Sequence, residues 1–285
     1  DSSQMTTGKK RYLRIVLAGV LLLCLPVHGE NVDHENILKL RFGGTWIQDS
    51  YLSPSRYSGL HVGIGNEWWQ DFRKESRLGR AGKLEQWHHV GRVDAQFVWT
   101  YNPVKSNVLY NIGLRAGWGA YYSWIFAPQG VQIMLGPYLD FDYMGRLHAR
   151  NVNKPYSMDI ATDIMAMAGV SYAFKGTKTS YRLRYLVRAN LIGVDFMPDY
   201  WQSYYELTEG IPGHVRCSGM WNHRTLRHEL TMDMQFPHST WRIGIAHEYM
   251  EYGDKNSMFS REQVALIVGT CFRYRLNPKH NLTAF

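Results

Sequence analysis

Between Tyr181 and Asp195, Arg182, Arg184 and Arg188 share one face of an alternating stretch with Asn190, while Tyr181, Leu183, Tyr185, Val187, Ala189 and Leu191 share the other. Guanidiniums lined up this way either draw anions into a confined space or pair with carboxylates and fill it. The same alternation sets Arg227, Glu229 and Asp233 on one face of Leu226 to Phe236, and Arg115 on one face of Asn107 to Tyr122. With Arg92 in phase, and Asp94, Asp140 and Glu248 as further partners, two readings of Arg115, Arg182, Arg184, Arg188, Arg227, Glu229 and Asp233 stand. The favoured one is a salt-bridged plug; the alternative is a cationic lumen serving as a narrow anion-selective pore or ligand-binding barrel.

Other chemistry is weaker. Gln202, Ser203, Tyr204, Tyr205 and Glu206 form a polar, aromatic run in which Ser203 could serve as a nucleophile with His214 or His223 as base, as in an outer-membrane lipid hydrolase. No nucleophile-elbow glycines flank Ser203, so the run reads instead as a long extracellular loop, and no catalytic residue is assigned. His88 and His89 are adjacent and point to opposite faces of a strand, and His214, His223 and His228 lack thiols or carboxylates at metal-ligand spacing. The Gly63-Ile64-Gly65 pair opens no helix, so no phosphate loop is present. Neither a metal nor another cofactor is expected.

These side chains need elements to hold them, and the hydrophobic period says which. In Asn107 to Tyr122 one face reads Val108, Tyr110, Ile112, Leu114, Ala116, Trp118, Ala120, Tyr122, and the other Asn107, Leu109, Asn111, Gly113, Arg115, Gly117, Gly119, Tyr121. Sixteen residues of strict alternation exceed the usual strand of about five or six residues and suit tilted membrane strands. Further alternating stretches fall at Ile37 to Ile47, Leu60 to Trp68, Val93 to Tyr101, Val131 to Tyr143, Ile160 to Phe174, Trp241 to Tyr249 and Val264 to Tyr274. Together they predict an all-β fold, an antiparallel up-and-down transmembrane β-barrel of about ten strands, within a range of eight to twelve. The link from Gln70 to His89 leaves room for strand extensions or two further strands. A soluble sandwich or lipocalin-like barrel is the competitor. Against it stand Gly113, Gly117 and Gly119 beside Arg115 on the polar face, and Trp99, Tyr101, Trp118, Tyr122, Tyr143 and Tyr172 toward the ends of apolar faces, where a girdle belongs.

Residues 1–29 read as a secretory signal peptide, with residues 1–4 ahead of Met5 standing outside the pattern. Lys9, Lys10, Arg11 and Arg14 precede an apolar run from Ile15 to Leu25, then Pro26 and Gly29. That run spans roughly 16 Å as a helix, about half of a bilayer core. Removing the segment leaves 28 basic against 23 acidic side chains from the original 32 and 24, a balance that makes no case for nucleic acid. Cys217 and Cys271 are too few and too far apart for a disulfide framework. Residues 30–285 form one domain.

Three stretches also carry a family resemblance: Tyr51-Leu-Ser-Pro-Ser-Arg-Tyr-Ser-Gly59, Asn102-Pro103 with the following Tyr110 to Trp118 strand, and Gly193-Val-Asp-Phe-Met-Pro-Asp-Tyr-Trp-Gln-Ser-Tyr-Tyr-Glu206. The chain resembles an uncharacterised Bacteroidetes family of exported proteins, a domain of unknown function with a Tyr-Gly-Gln-Ser-Tyr-Tyr-Glu-like loop. Trp201 replaces the expected glycine of that loop. The resemblance implies an outer-membrane barrel and leaves its activity blank. The partners expected are membrane lipid, the barrel-assembly machinery during insertion, and an envelope protein of unknown kind.

Overall fold

A computed structural model describes residues 33–50, 52–71, 87–126, 130–148, 150, 155–177, 179–197, 214–237, 239–253 and 258–275. Every element among them is a strand: β1 (Asp33–Asp49), β2 (Ser53–Asp71), β3 (Trp87–Tyr101), β4 (Val108–Phe126), β5 (Val131–His148), β6 (Tyr156–Lys175), β7 (Ser180–Met197), β8 (His214–Gly219), β9 (His223–Gln235), β10 (Thr240–Gly253) and β11 (Met258–Arg275). Antiparallel ladders run in the order β6-β5-β4-β3-β2-β1-β11-β10-β9-β7, and the β6–β7 pairing closes the ring. β8 and β9 lie one after the other along β7, β8 opposite Ile192 to Met197 and β9 opposite Ser180 to Ala189. The two segments make one interrupted stave, so the wall has ten staves.

Each alternating stretch of the sequence corresponds to one stave, lengthened at one or both ends, with Asn107 and Phe236 falling just outside β4 and β9. The outward face is mainly apolar: Leu38, Leu40 and Phe42 on β1 and Leu266 and Val268 on β11 stand between 44% and 59% exposed, while Lys39 and Arg41 between them are buried. This inverts the distribution of a water-soluble protein, in which large contiguous apolar surfaces are avoided. The two ends of the barrel also differ. One end carries Asp33, Arg275 and the tight turns closed by Gly176 N–H to the Thr179 carbonyl (2.8 Å) and Phe236 N–H to the Ser239 carbonyl (2.8 Å). The other carries the connection between β7 and β8, residues 198–213, which includes Gln202 to Glu206 and lies outside the described residues. In the link between β2 and β3, strand extensions reach Asp71 and Trp87; residues 72–86 are likewise outside them.

Two irregularities have local causes. Pro137, facing outward on β5, has no N–H to offer β4, and the register passes from Gly119↔Tyr138 to Tyr122↔Leu135 without pairs between. On β7 a bulge opposite Ile164 and Met165 leaves Leu191 outside the register, so Leu191 and Ile192 both face outward and the inward phase resumes at Gly193 and Asp195.

β1 and β11 approach closely at Gly43, where an added Cβ would meet the Val264 carbonyl oxygen at 1.9 Å. Backbone cannot yield as a flexible side chain does. Gly43→Val is expected to destabilise the barrel by about 1–3 kcal/mol, read as a lower urea midpoint of the folded form in micelles. An unchanged midpoint would refute the close approach.

Candidate functional site: a cross-braced bore

The inward residues of the staves converge on a bore that holds buried apolar clusters, one with Ile47, Val98 and Phe259 and one with Trp69, Met134 and Leu186, together with many charged side chains. Among the described residues ten cations are buried: Lys39, Arg41, Arg92, Arg115, Arg146, Arg184, Arg188, Arg227, Arg242 and Arg261. Eleven buried carboxylates face them: Asp49, Glu67, Asp94, Asp140, Asp142, Asp159, Asp163, Asp195, Glu229, Asp233 and Glu248. The near balance matters, because burying an unpaired charge is far costlier than burying a paired one.

Pairing runs across the bore as well as along its wall. Arg115 on β4 donates to both oxygens of Glu248 on β10 (2.9 and 3.0 Å), five staves away on the opposite wall, and also to Asp142 on β5 (2.9 Å). Glu248 further accepts from Arg41 at 2.6 Å and lies 3.5 Å from Arg92. Arg227 on β9 reaches Asp140 (2.6 Å) and Asp142 (3.1 Å) on β5. Nearer the tight-turn end, Arg242 holds Asp233 at 2.6 Å and Glu67 at 3.1 Å, and Lys39 joins Glu67 (2.8 Å) to Glu229 (3.5 Å). Toward the long-loop end, Arg146 binds Asp49 at 2.7 Å and contacts Asp159, which accepts from Tyr252.

The seven residues singled out from the sequence all face inward. Arg115, Arg227, Glu229 and Asp233 belong to the braces just described. Arg182 sits at the tight-turn mouth, partly exposed, paired with Glu35 at 2.8 Å. Arg184 has Glu35 at 3.8 Å and stacks on Trp69, with its guanidinium carbon 4.2 Å from the ring. Arg188 lies over the Tyr138 ring at 4.8 Å. Lys39, Arg41, Glu67, Asp142, Arg146, Arg242 and Arg261 complete the network without having been traced in the sequence. For Lys39 and Arg41 the signal was their alternation with Leu38, Leu40 and Phe42.

Gln202, Ser203, Tyr204, Tyr205 and Glu206 fall outside the described residues. His223 is buried in the bore, its Nε2 2.8 Å from Thr225 Oγ1 and its Nδ1 3.3 Å from Asp163. Glu35, Asp233 and Cys271 bring three potential metal ligands within 4.8 Å of one another. Arg182 and Arg242 already occupy the two carboxylates, so the trio faces guanidiniums rather than an open metal position. Tyr185 and His228 touch outside the barrel, with Oη and Nδ1 2.7 Å apart, which offsets the cost of a histidine on that face.

A closed antiparallel barrel, apolar outside and ion-paired inside, is the layout of an outer-membrane-type β-barrel. The chain belongs to the DUF3316 family, described as proteins of unknown function, which it matches over residues 33–263. No curated protein matches it. Among solved structures it is similar to the transport unit of the autotransporter AIDA-I from Escherichia coli, at 9% identity over 86% of this chain and 92% of that one, with a TM-score of 0.40. It is also similar to the translocator domain of the autotransporter NalP from Neisseria meningitidis, at 9% identity over 94% and 96%, with a TM-score of 0.36. A deletion mutant of the monoaromatic hydrocarbon channel TodX is 11% identical over 91% and 77%, with a TM-score of 0.30. The fold assignment rests on this chain's own ladders and faces.

Proposed function

We propose that this protein is exported through a cleaved signal peptide into the outer membrane, in the envelope of a Bacteroidetes bacterium as the 193–206 stretch suggests. There it serves as a non-catalytic structural or accessory component whose bore is closed. The supporting observation is the Arg115–Glu248 pair, two good hydrogen bonds that bridge opposite walls where a channel would need open space. An anion-selective pore has less support, since among the described residues ten buried cations face eleven buried carboxylates and leave no positive excess to attract anions. A role in holding membrane lipid and an envelope partner outside the barrel is compatible with this reading.

Two measurements test it together. The protein in the outer-membrane fraction is expected to migrate faster on a denaturing gel before boiling than after, because a closed barrel resists detergent until heated. Reconstituted in planar bilayers, it is expected to show no conductance above that of the lipid. Stable ion-conducting steps would overturn the closed bore, and recovery in the soluble periplasm without a gel shift would overturn the membrane placement.

A further inference from the structure

Nine of the ten buried cations have a carboxylate within ion-pair distance; among the described residues Arg188 does not. Its side chain is 2% exposed, and its Nε and one terminal nitrogen find no hydrogen-bond acceptor. Its cross-strand neighbour on β9 is another cation, Arg227, whose charge Asp140 and Asp142 already answer. Like charges directly opposite on a sheet repel, so the register makes the imbalance at Arg188 worse.

The phenol beneath that guanidinium is also a donor without an acceptor. Tyr138 is 1% exposed and its hydroxyl is unpartnered. The ring lies in a hollow left by two glycines of β4: a Cβ at Gly117 would stand 2.3 Å from the Tyr138 oxygen, and one at Gly119 2.6 Å from the ring. Nearby on the same strand face, Arg184 has its Nε and a terminal nitrogen unpartnered, with Glu35 only at the 3.8 Å limit. Glu67 already accepts from Lys39, Arg242 and Trp69 and is not within ion-pair distance of either residue. Buried donors lacking acceptors carry a full desolvation cost.

We propose that Arg188 and Tyr138 bind a small oxyanion, a phosphate or carboxylate. The planar guanidinium fork matches two oxygens of such a group, and the phenol can supply a third donor. At the tight-turn end a pocket of about 200 Å³ is lined by Lys175, Ser180, Arg182, Asp233 and Gln235. Between that pocket and Arg188, the inward Leu186 of β7 belongs to one buried apolar cluster with Trp69, Met134 and Tyr138, a layer that an anion from this mouth has to pass. The proposal deepens the closed-bore reading, since an anion held there stays rather than passes, and the two fail separately: conductance overturns the first, absence of anion binding the second.

The test uses the full chain folded in a zwitterionic detergent, with the heat-modified gel shift followed against temperature in inorganic phosphate, acetate or chloride at matched ionic strength. Phosphate or acetate is expected to raise the midpoint of the wild-type protein by several degrees over chloride. The rise should disappear in Arg188→Met, persist in part in Arg188→Lys, and shrink in Tyr138→Phe. Equal rises in wild type and Arg188→Met would overturn the site, as would no rise with either oxyanion. Should Arg188→Met fail to fold, Tyr138→Phe decides by the same comparison, since it loses a single hydroxyl and keeps the ring.

Discussion

Glu248→Ala is expected to destabilise the barrel by about 3–5 kcal/mol, the cost of leaving buried charge uncompensated. Glu248 answers Arg41 and Arg115 directly and lies within 3.5 Å of Arg92, so its loss strands positive charge in three places at once. Asp142 and Asp94 would still hold Arg115 and Arg92, but each is shared with other guanidiniums. Among the described residues Arg41 would keep only Asp94, at 4.0 Å. Urea titration of the protein in lipid vesicles, followed by tryptophan fluorescence, should show the lowered midpoint. A midpoint equal to that of wild type would mean that the braces across the bore do not form. Glu248→Gln keeps the shape and removes the charge; a loss close to that of alanine would assign the effect to electrostatics rather than to packing.

The second large effect lies on the opposite face. Leu40 is 56% exposed and flanked by Ile64 of β2 and Val268 of β11, in the middle of an apolar stave. In a bilayer, Leu40→Arg is expected to cost about 2–4 kcal/mol, the range for a cation placed near the midplane on a barrel's lipid face. A water-soluble barrel would accept the same arginine with almost no change. Comparing the urea midpoint of the variant in vesicles with that of wild type separates the two environments. A neutral result would remove the lipid from the account of the outer face.

Alternation alone made the staves legible, because a two-residue period with one apolar face can form only where one side of a sheet meets an apolar medium. It also placed Arg115, Arg182, Arg184, Arg188, Arg227, Glu229 and Asp233 inside. β8 escaped it: His214 to Gly219 is six residues, too short for a period to stand out within a stretch read as loop. The phase change at Leu191 was hidden for a different reason, since two successive apolar residues look the same whether a strand ends or bulges. Partner choice was the least legible. Arg115 meets Glu248 because ring closure sets β4 opposite β10, and no pattern within either strand records that distance. Arg188 illustrates the same gap: its alternation with apolar neighbours resembles that of Arg227, yet one is fully answered and the other faces a phenol.

β8 pairs with β7 and, among the described residues, with no other strand, while Met220 to Asn222 turn the chain before β9 rejoins the closed belt. A cylinder resists unravelling because it offers no loose end. At this notch the chain supplies one: β8 can peel away from β7 by giving up six register pairs, while the β7–β9 seam and every other seam of the ring stay shut. Tension applied through the connection at the rim would thus be spent on a detachable flap before it reached the drum.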